Sequence, residues 1–149
     1  MSVDIEAEVE TAAEYWVSVQ ERAADDICLT VLAITASGQR IVIGFAGGMS
    51  DELRPVLGKV VRKAVSERIE AYVAAMTGWS STRLDIQPHD DPERGEVLMV
   101  CGGTRQGRQA SRSYTMLRFG DEIRLRPLNL QQVEALTFQQ ILEEEEEQE

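Results

Sequence analysis

Apolar residues recur along the first segment at Ile5, Val9, Ala12, Trp16, Val19 and Ala23, at spacings of four, three, four, three and four. That period predicts an amphipathic helix, with acidic residues covering the remaining faces. Asp4 and Glu6 suit the positive end of its dipole, whereas Asp25-Asp26 would oppose the negative end and mark its stop. Two runs rich in β-branched residues, 27–36 and 40–45, then flank Ser37-Gly38-Gln39. Strand chemistry on either side of turn chemistry predicts a β-hairpin. Neither run alternates cleanly, so both faces are expected to be covered in part. Ala46-Gly47-Gly48-Met49 breaks the pattern, and Ser50 is placed to cap a helix with Pro55 in its early turns. Leu53, Leu57, Val60, Val61, Ala64 and Val65 form the predicted apolar face of that helix.

Beyond position 68 the pattern forks. Ile69, Tyr72, Val73 and Met76 continue the helical period, while Tyr72-Val73, Thr77 and Trp79 suit a strand over 71–79. Residues 87–95, with two prolines and a glycine, predict a polar loop. Positions 96–101, 110–119 and 122–126 predict strands. Gly102-Gly103 and Gln106-Gly107 act as bends, Gly120-Asp121 as a tight turn and Pro127 as a stop. Asn129 caps a last helix that brings Leu130, Val133, Leu136 and Ile141 roughly into phase, and 143–149 is an acidic tail. The fold class is therefore α+β: a mainly antiparallel sheet of about five to six strands with one central helix and flanking terminal helices. Its order of elements looks like that of profilin-like or roadblock-type domains. Residues 1–142 form one domain.

The run Tyr72-Val-Ala-Ala-Met-Thr-Gly-Trp79, followed by Gln87-Pro-His-Asp-Asp-Pro-Glu-Arg94 and Glu96-Val-Leu-Met99, resembles a family of uncharacterised bacterial and archaeal proteins. In that family an aliphatic strand ending in Ser-Glu-Ala-Trp precedes a Pro-x-x-Asp-Pro-x-Arg loop and an apolar strand. Trp79, Pro88, Asp91, Pro92 and Arg94 fit the pattern, and Thr77 departs from its acidic position. The resemblance covers about a fifth of the chain. It implies that 71–79 is a strand, and it implies no activity.

The net charge of −11 is unevenly placed. Residues 1–26 carry eight carboxylates against Arg22, residues 143–149 carry six Glu and no base, and the middle carries 12 acids and 14 bases. The body is thus faintly basic although the whole chain is acidic. No apolar run approaches the roughly 20 residues of a membrane span. The acidic start is unlike a secretory signal, so the sequence points to the cytoplasm. Cys28 and Cys101 lie in apolar runs and read as buried thiols.

His89-Asp90-Asp91 with Glu93 is the densest set of metal-ligand types, but consecutive ligands in a Pro-bounded loop rarely converge, and the chain has no second His. A hydrolase using His89 and Asp91 is accordingly the weakest reading, and no metal or cofactor is expected. Ala46 to Ser50 lacks the Lys and the length of a phosphate-binding loop. The Arg run is the strongest surface signal: Arg105, Arg108, Arg112, Arg118, Arg124 and Arg126 within 22 positions. If Gly120-Asp121 is a two-residue turn, Leu117 opposes Arg124 and Thr115 opposes Arg126. Ser113, Thr115, Arg124 and Arg126 then share an outer face, and Tyr114, Met116, Ile123 and Leu125 a core face. The chain reads as a non-catalytic binding protein using this face and the 87–95 loop, with Trp79, Arg94, Arg105, Arg108, Arg112, Arg124 and Arg126 as its binding residues. Its expected partner is a protein or a second copy of itself. A nucleic acid or other polyanion is the alternative, disfavoured by the net charge and by the lack of aromatic platforms. An acidic decoy is a further alternative.

Overall fold

A computed structural model describes residues 2–22, 29–46, 50–80, 85, 95–128 and 138–143. Its elements run α1 (Ile5–Arg22), β1 (Leu29–Thr35), β2 (Arg40–Phe45), α2 (Leu57–Ala64), β3 (Ile69–Ser80), β4 (Gly95–Thr104), β5 (Gln109–Phe119) and β6 (Glu122–Leu128). The fold is α+β, with six strands in the order β2-β1-β3-β4-β5-β6 and every neighbouring pair antiparallel. β1 lies between β2 and β3, so the connection carrying α2 crosses from one side of β1 to the other. No described helix is long and apolar enough to cross a membrane.

The central strands of the sheet are covered on both faces. Ile5, Val9 and Ala13 of α1 pack on Ile34, Ala71, Val73, Ala75, Leu98 and Val100. On the other face Leu57, Val61 and Val65, joined by Phe138, Ile141 and Leu142, pack on Leu29, Val31, Ala33, Tyr72, Ala74 and Cys101. This two-sided burial explains why β1 and β3 show no polar alternation. It also settles the fork: Ala71, Val73 and Ala75 face α1, and Tyr72 and Ala74 face α2. The fully buried residues of α1 are Ile5, Val9, Ala13 and Gln20, while Ala12, Trp16 and Val19 are half-buried at the margin. Ala23, Asp25, Asp26 and Cys28 lie outside the described residues, as does the predicted last helix before Phe138.

Three further expectations change. Ser50 caps the turn, its Oγ accepting from Leu53 N at 3.0 Å, but the chain then makes a 3-10 turn over Arg54–Val56, and α2 spans only Leu57–Ala64. Val60 is exposed, and Gly58 is buried in its stead, its amide donating to Gln140 Oε1 at 3.1 Å. Gly102 and Gly103 do not bend the chain but lie within β4, opposite Val73 and Tyr72. A Cβ on Gly102 would stand 2.7 Å from Tyr72 O and 2.8 Å from Ile5 Cδ1; one on Gly103 would stand 2.7 Å from Gln139 Oε1. The adjacent glycines thus let α1 approach one face and residues 138–142 the other. Lastly, β6 does not stop at Pro127. It is an edge strand, so a residue without an N–H is tolerated where that N–H would point away from the sheet.

Two hairpin turns share one construction. In Thr35-Ala-Ser-Gly38-Gln39 the Thr amide donates to Gln39 O at 2.9 Å, Gly38 N to Thr35 O at 2.9 Å, and Gln39 N to Thr35 Oγ1 at 3.0 Å. Thr104-Arg-Gln-Gly107-Arg108 repeats all three bonds, at 2.9, 3.0 and 3.2 Å. Both glycines are left-handed, with φ of 86° and 88°, and both threonines are buried. Gly38→Ala and Gly107→Ala are each expected to cost about 1–2 kcal/mol, the penalty for an L-residue in that region. Urea unfolding should show a lower midpoint with an unchanged slope.

Candidate functional site

The register across β5 and β6 is the one the two-residue turn predicts. Leu117 opposes Arg124, Thr115 opposes Arg126, and Gly120 (φ 61°) supplies the turn. Met116 and Ile123 are buried, and Tyr114 and Leu125 pack against the α1 layer. Arg124 and Arg126 therefore emerge on the opposite face, beside half-buried Thr115 and Leu117. At the hairpin tip Phe119, which follows Leu117 on that face, is 60% exposed. Arg124 pairs with Glu122 at 3.3 Å, an exposed contact that a competing carboxylate displaces at little cost. Aromatic and Arg side chains on one open surface are the composition enriched where proteins bind one another. Phe119 was not singled out from the sequence. The signal was available: an aromatic next to a turn glycine, in phase with the outer residues Thr115 and Leu117.

The remaining arginines are not part of that face. Arg112 shares the alternation of Tyr114 and Met116, on the α1 side. There it donates to Ser111 O at 2.9 Å and stands near the Tyr114 hydroxyl. Burial raises the pKa of Tyr114, Arg112 opposes that rise, and Glu14 and Glu10 of α1 add to it. The acids of α1 therefore lie within electrostatic reach of the Tyr114–Arg112 pair. Arg118 makes a two-pronged contact with Glu96: Nε at 3.0 Å to each oxygen, and Nη2 at 2.7 Å to Oε2. Arg105 is a structural tie. Its Nε donates to Ile69 O at 2.7 Å, its Nη1 to Leu142 O, and its amide to Glu70 O at 3.1 Å. Arg108 lies exposed in the turn at the other end of β5. Six arginines close in sequence are thus split between two faces and two ends of the hairpin. The expectation of one continuous basic face does not hold, because alternation along a strand sends neighbours two ways.

Trp79 is described by its backbone alone; it lies opposite Glu96, in the cross-sheet row that continues to Met116 and Leu125. Arg94, His89, Asp91 and the rest of the 87–94 loop lie outside the described residues, as do Glu144 to Glu149. The root of the acidic tail is placed, because Leu142 O accepts from Arg105. That root is at the Arg105–Arg108 turn. Arg124 opposes Leu117, eight residues and about 26 Å farther along β5. Of the other acids, Glu8 pairs with Arg40, and Glu21 accepts from Leu125 N at 3.1 Å. Glu6, Glu10 and Glu14 are exposed along α1.

Family models, curated proteins and solved structures were compared with the chain, and none matches it.

Proposed function

We propose that the protein acts by binding another protein through the outer face of the β5–β6 hairpin, with Phe119 as the apolar anchor and Arg124 and Arg126 as the charged contacts. The observation that carries this reading is the pairing of β5 with β6. It buries Met116 and Ile123 beneath α1 and leaves Phe119, Arg124 and Arg126 together on the side away from it. The partner segment that fits offers an aliphatic or aromatic group to Phe119 and Leu117 and carboxylates to the arginines. Bidentate Arg–carboxylate geometry supplies the orientation. Arg112 and the acids of α1 have no part in it, since they lie across the sheet.

A synthetic peptide alternating Glu with Leu serves as the probe, measured by calorimetry at low ionic strength. Phe119→Ala is expected to weaken binding by roughly 5–30-fold, the effect of losing an interface anchor worth about 1–2 kcal/mol. Arg124→Glu with Arg126→Glu should abolish it, and Arg112→Glu should leave it unchanged. Equal affinity in all three variants, or a larger loss in Arg112→Glu, contradicts the reading.

A further inference from the structure

We propose that two copies of this chain pair through their β2 edges, joining two six-stranded sheets into one across a twofold axis. The two edges of the sheet are built differently. In a two-residue hairpin closed by Phe119 and Glu122, the amides of positions 123, 125 and 127 point away from β5. Leu125 N is taken by the Glu21 carboxylate at 3.1 Å, and Pro127 has no N–H. Exposed Glu122, Arg124 and Arg126 add charge along the same strand. These are the devices by which a protein blocks strand addition.

β2 lacks the proline and, among the described residues, the capped amide, and it is nearly free of charge. Its sequence, Arg-Ile-Val-Ile-Gly-Phe, has one charge, at its first residue, and no proline. Among the described residues its strand partner is β1 alone, and none of them pairs with the backbone N–H and C=O groups that alternate residues of β2 direct outward. α1 packs over β3 to β6 and reaches β2 through the Arg40–Glu8 ion pair. Val42 is left 67% exposed, the most exposed large apolar side chain described.

The strand is complementary to itself. An antiparallel pair centred on Val42 sets Val42 against Val42 of the second copy, Ile41 against Ile43, and Arg40 against Gly44. A Cβ built on Gly44 meets nothing within 4 Å, so the aliphatic stem of Arg40 has room to lie over it. The two Arg40 residues fall at opposite ends, and no like charges stand opposite one another. With one edge open and the other blocked, pairing stops at two copies and does not run on into a fibre. The net charge of −11 opposes association over long range, so the pair tightens as salt screens it.

Sedimentation of the full chain from roughly 1 to 200 µM, a range in which a modest interface of this kind is populated, should reach twice the 16.6 kDa chain mass. The shift to the dimer should come at lower concentration in high salt. Val42→Lys, which places two ammonium groups at the twofold axis, should hold the chain monomeric with an unchanged circular dichroism spectrum. Val42→Cys should cross-link under mild oxidation where the wild type does not, because paired antiparallel residues hold their Cα atoms about 4.5–5.5 Å apart, within disulfide reach. A wild-type chain that stays monomeric throughout, a dimer that survives Val42→Lys, or a Val42→Cys chain that resists cross-linking overturns the proposal. None of these readouts involves the β5–β6 face, so failure here leaves the binding reading standing.

Discussion

Removing residues 138–149 should leave a chain that does not fold stably. Phe138, Ile141 and Leu142 are at most 4% exposed and complete the core between α2 and the sheet. Phe138 lies against Tyr72 with ring centroids 6.3 Å apart. Three such side chains contribute about 5–9 kcal/mol together by area, against a total stability on the order of 5–15 kcal/mol for a domain. The polar ties go as well. Gln140 accepts from Gly58 N at 3.1 Å and donates to Arg54 O at 3.0 Å; Arg62 bonds Gln140 O, and Arg105 bonds Leu142 O. Both guanidinium groups would lose a part-buried acceptor. Deleting 144–149 alone removes none of these contacts and is expected to leave the melting temperature nearly unchanged. A 1–137 chain that melts cooperatively near the wild-type temperature would contradict this account of the C-terminal segment.

Gly102→Val should be nearly as severe, by the opposite mechanism. Its Cβ would meet backbone at Tyr72 O and the Ile5 and Val9 side chains of α1, all within 2.9 Å. A carbonyl in a central strand cannot move, so α1 must lift. Overpacking typically costs about 1–3 kcal/mol. Here the cost should lie at or above the top of that range, because the strand pairing and the helix docking conflict. Trp16, half-buried against the same cluster, reports the loss through a red-shifted emission. Gly44→Ala is the control: nothing lies within 4 Å of its Cβ, and its stability should not fall. Equal, small effects at both glycines would show that α1 does not approach β4 as closely as described.

Much of this architecture was legible from local chemistry. The β5–β6 register followed from a two-residue turn, since such a turn leaves no slack and alternation then assigns every side chain to a face. The β1–β2 hairpin followed from Ser37-Gly38 in the same way, although the part played by Thr35 and Thr104 did not. What stayed hidden was non-local. Gly102 and Gly103 look like breakers because glycine usually is one; here they answer to Ile5 and Gln139, far away in sequence. The small residues of β3 imitate a helical period because both of its faces are covered, so no polar position marks the alternation. The Arg run misled for a related reason. Closeness in sequence is not closeness on a sheet face, and Arg112 and Arg126, three positions out of direct cross-strand opposition, lie on opposite faces of the sheet. Phe119 carries no charge and so leaves no mark in the charge pattern that picks out Arg124, although both lie on one face of the hairpin.

The binding surface proposed for this protein is the face of the β5–β6 hairpin turned away from α1. The most direct measurement is a two-dimensional amide nuclear magnetic resonance titration of the full chain with the Glu–Leu peptide. Shifts are expected to cluster at residues 115–119 and 122–126 and to spare α1 and the Arg105–Arg108 turn. Shifts centred on Arg112 and the exposed face of α1, with the hairpin tip unmoved, would contradict it.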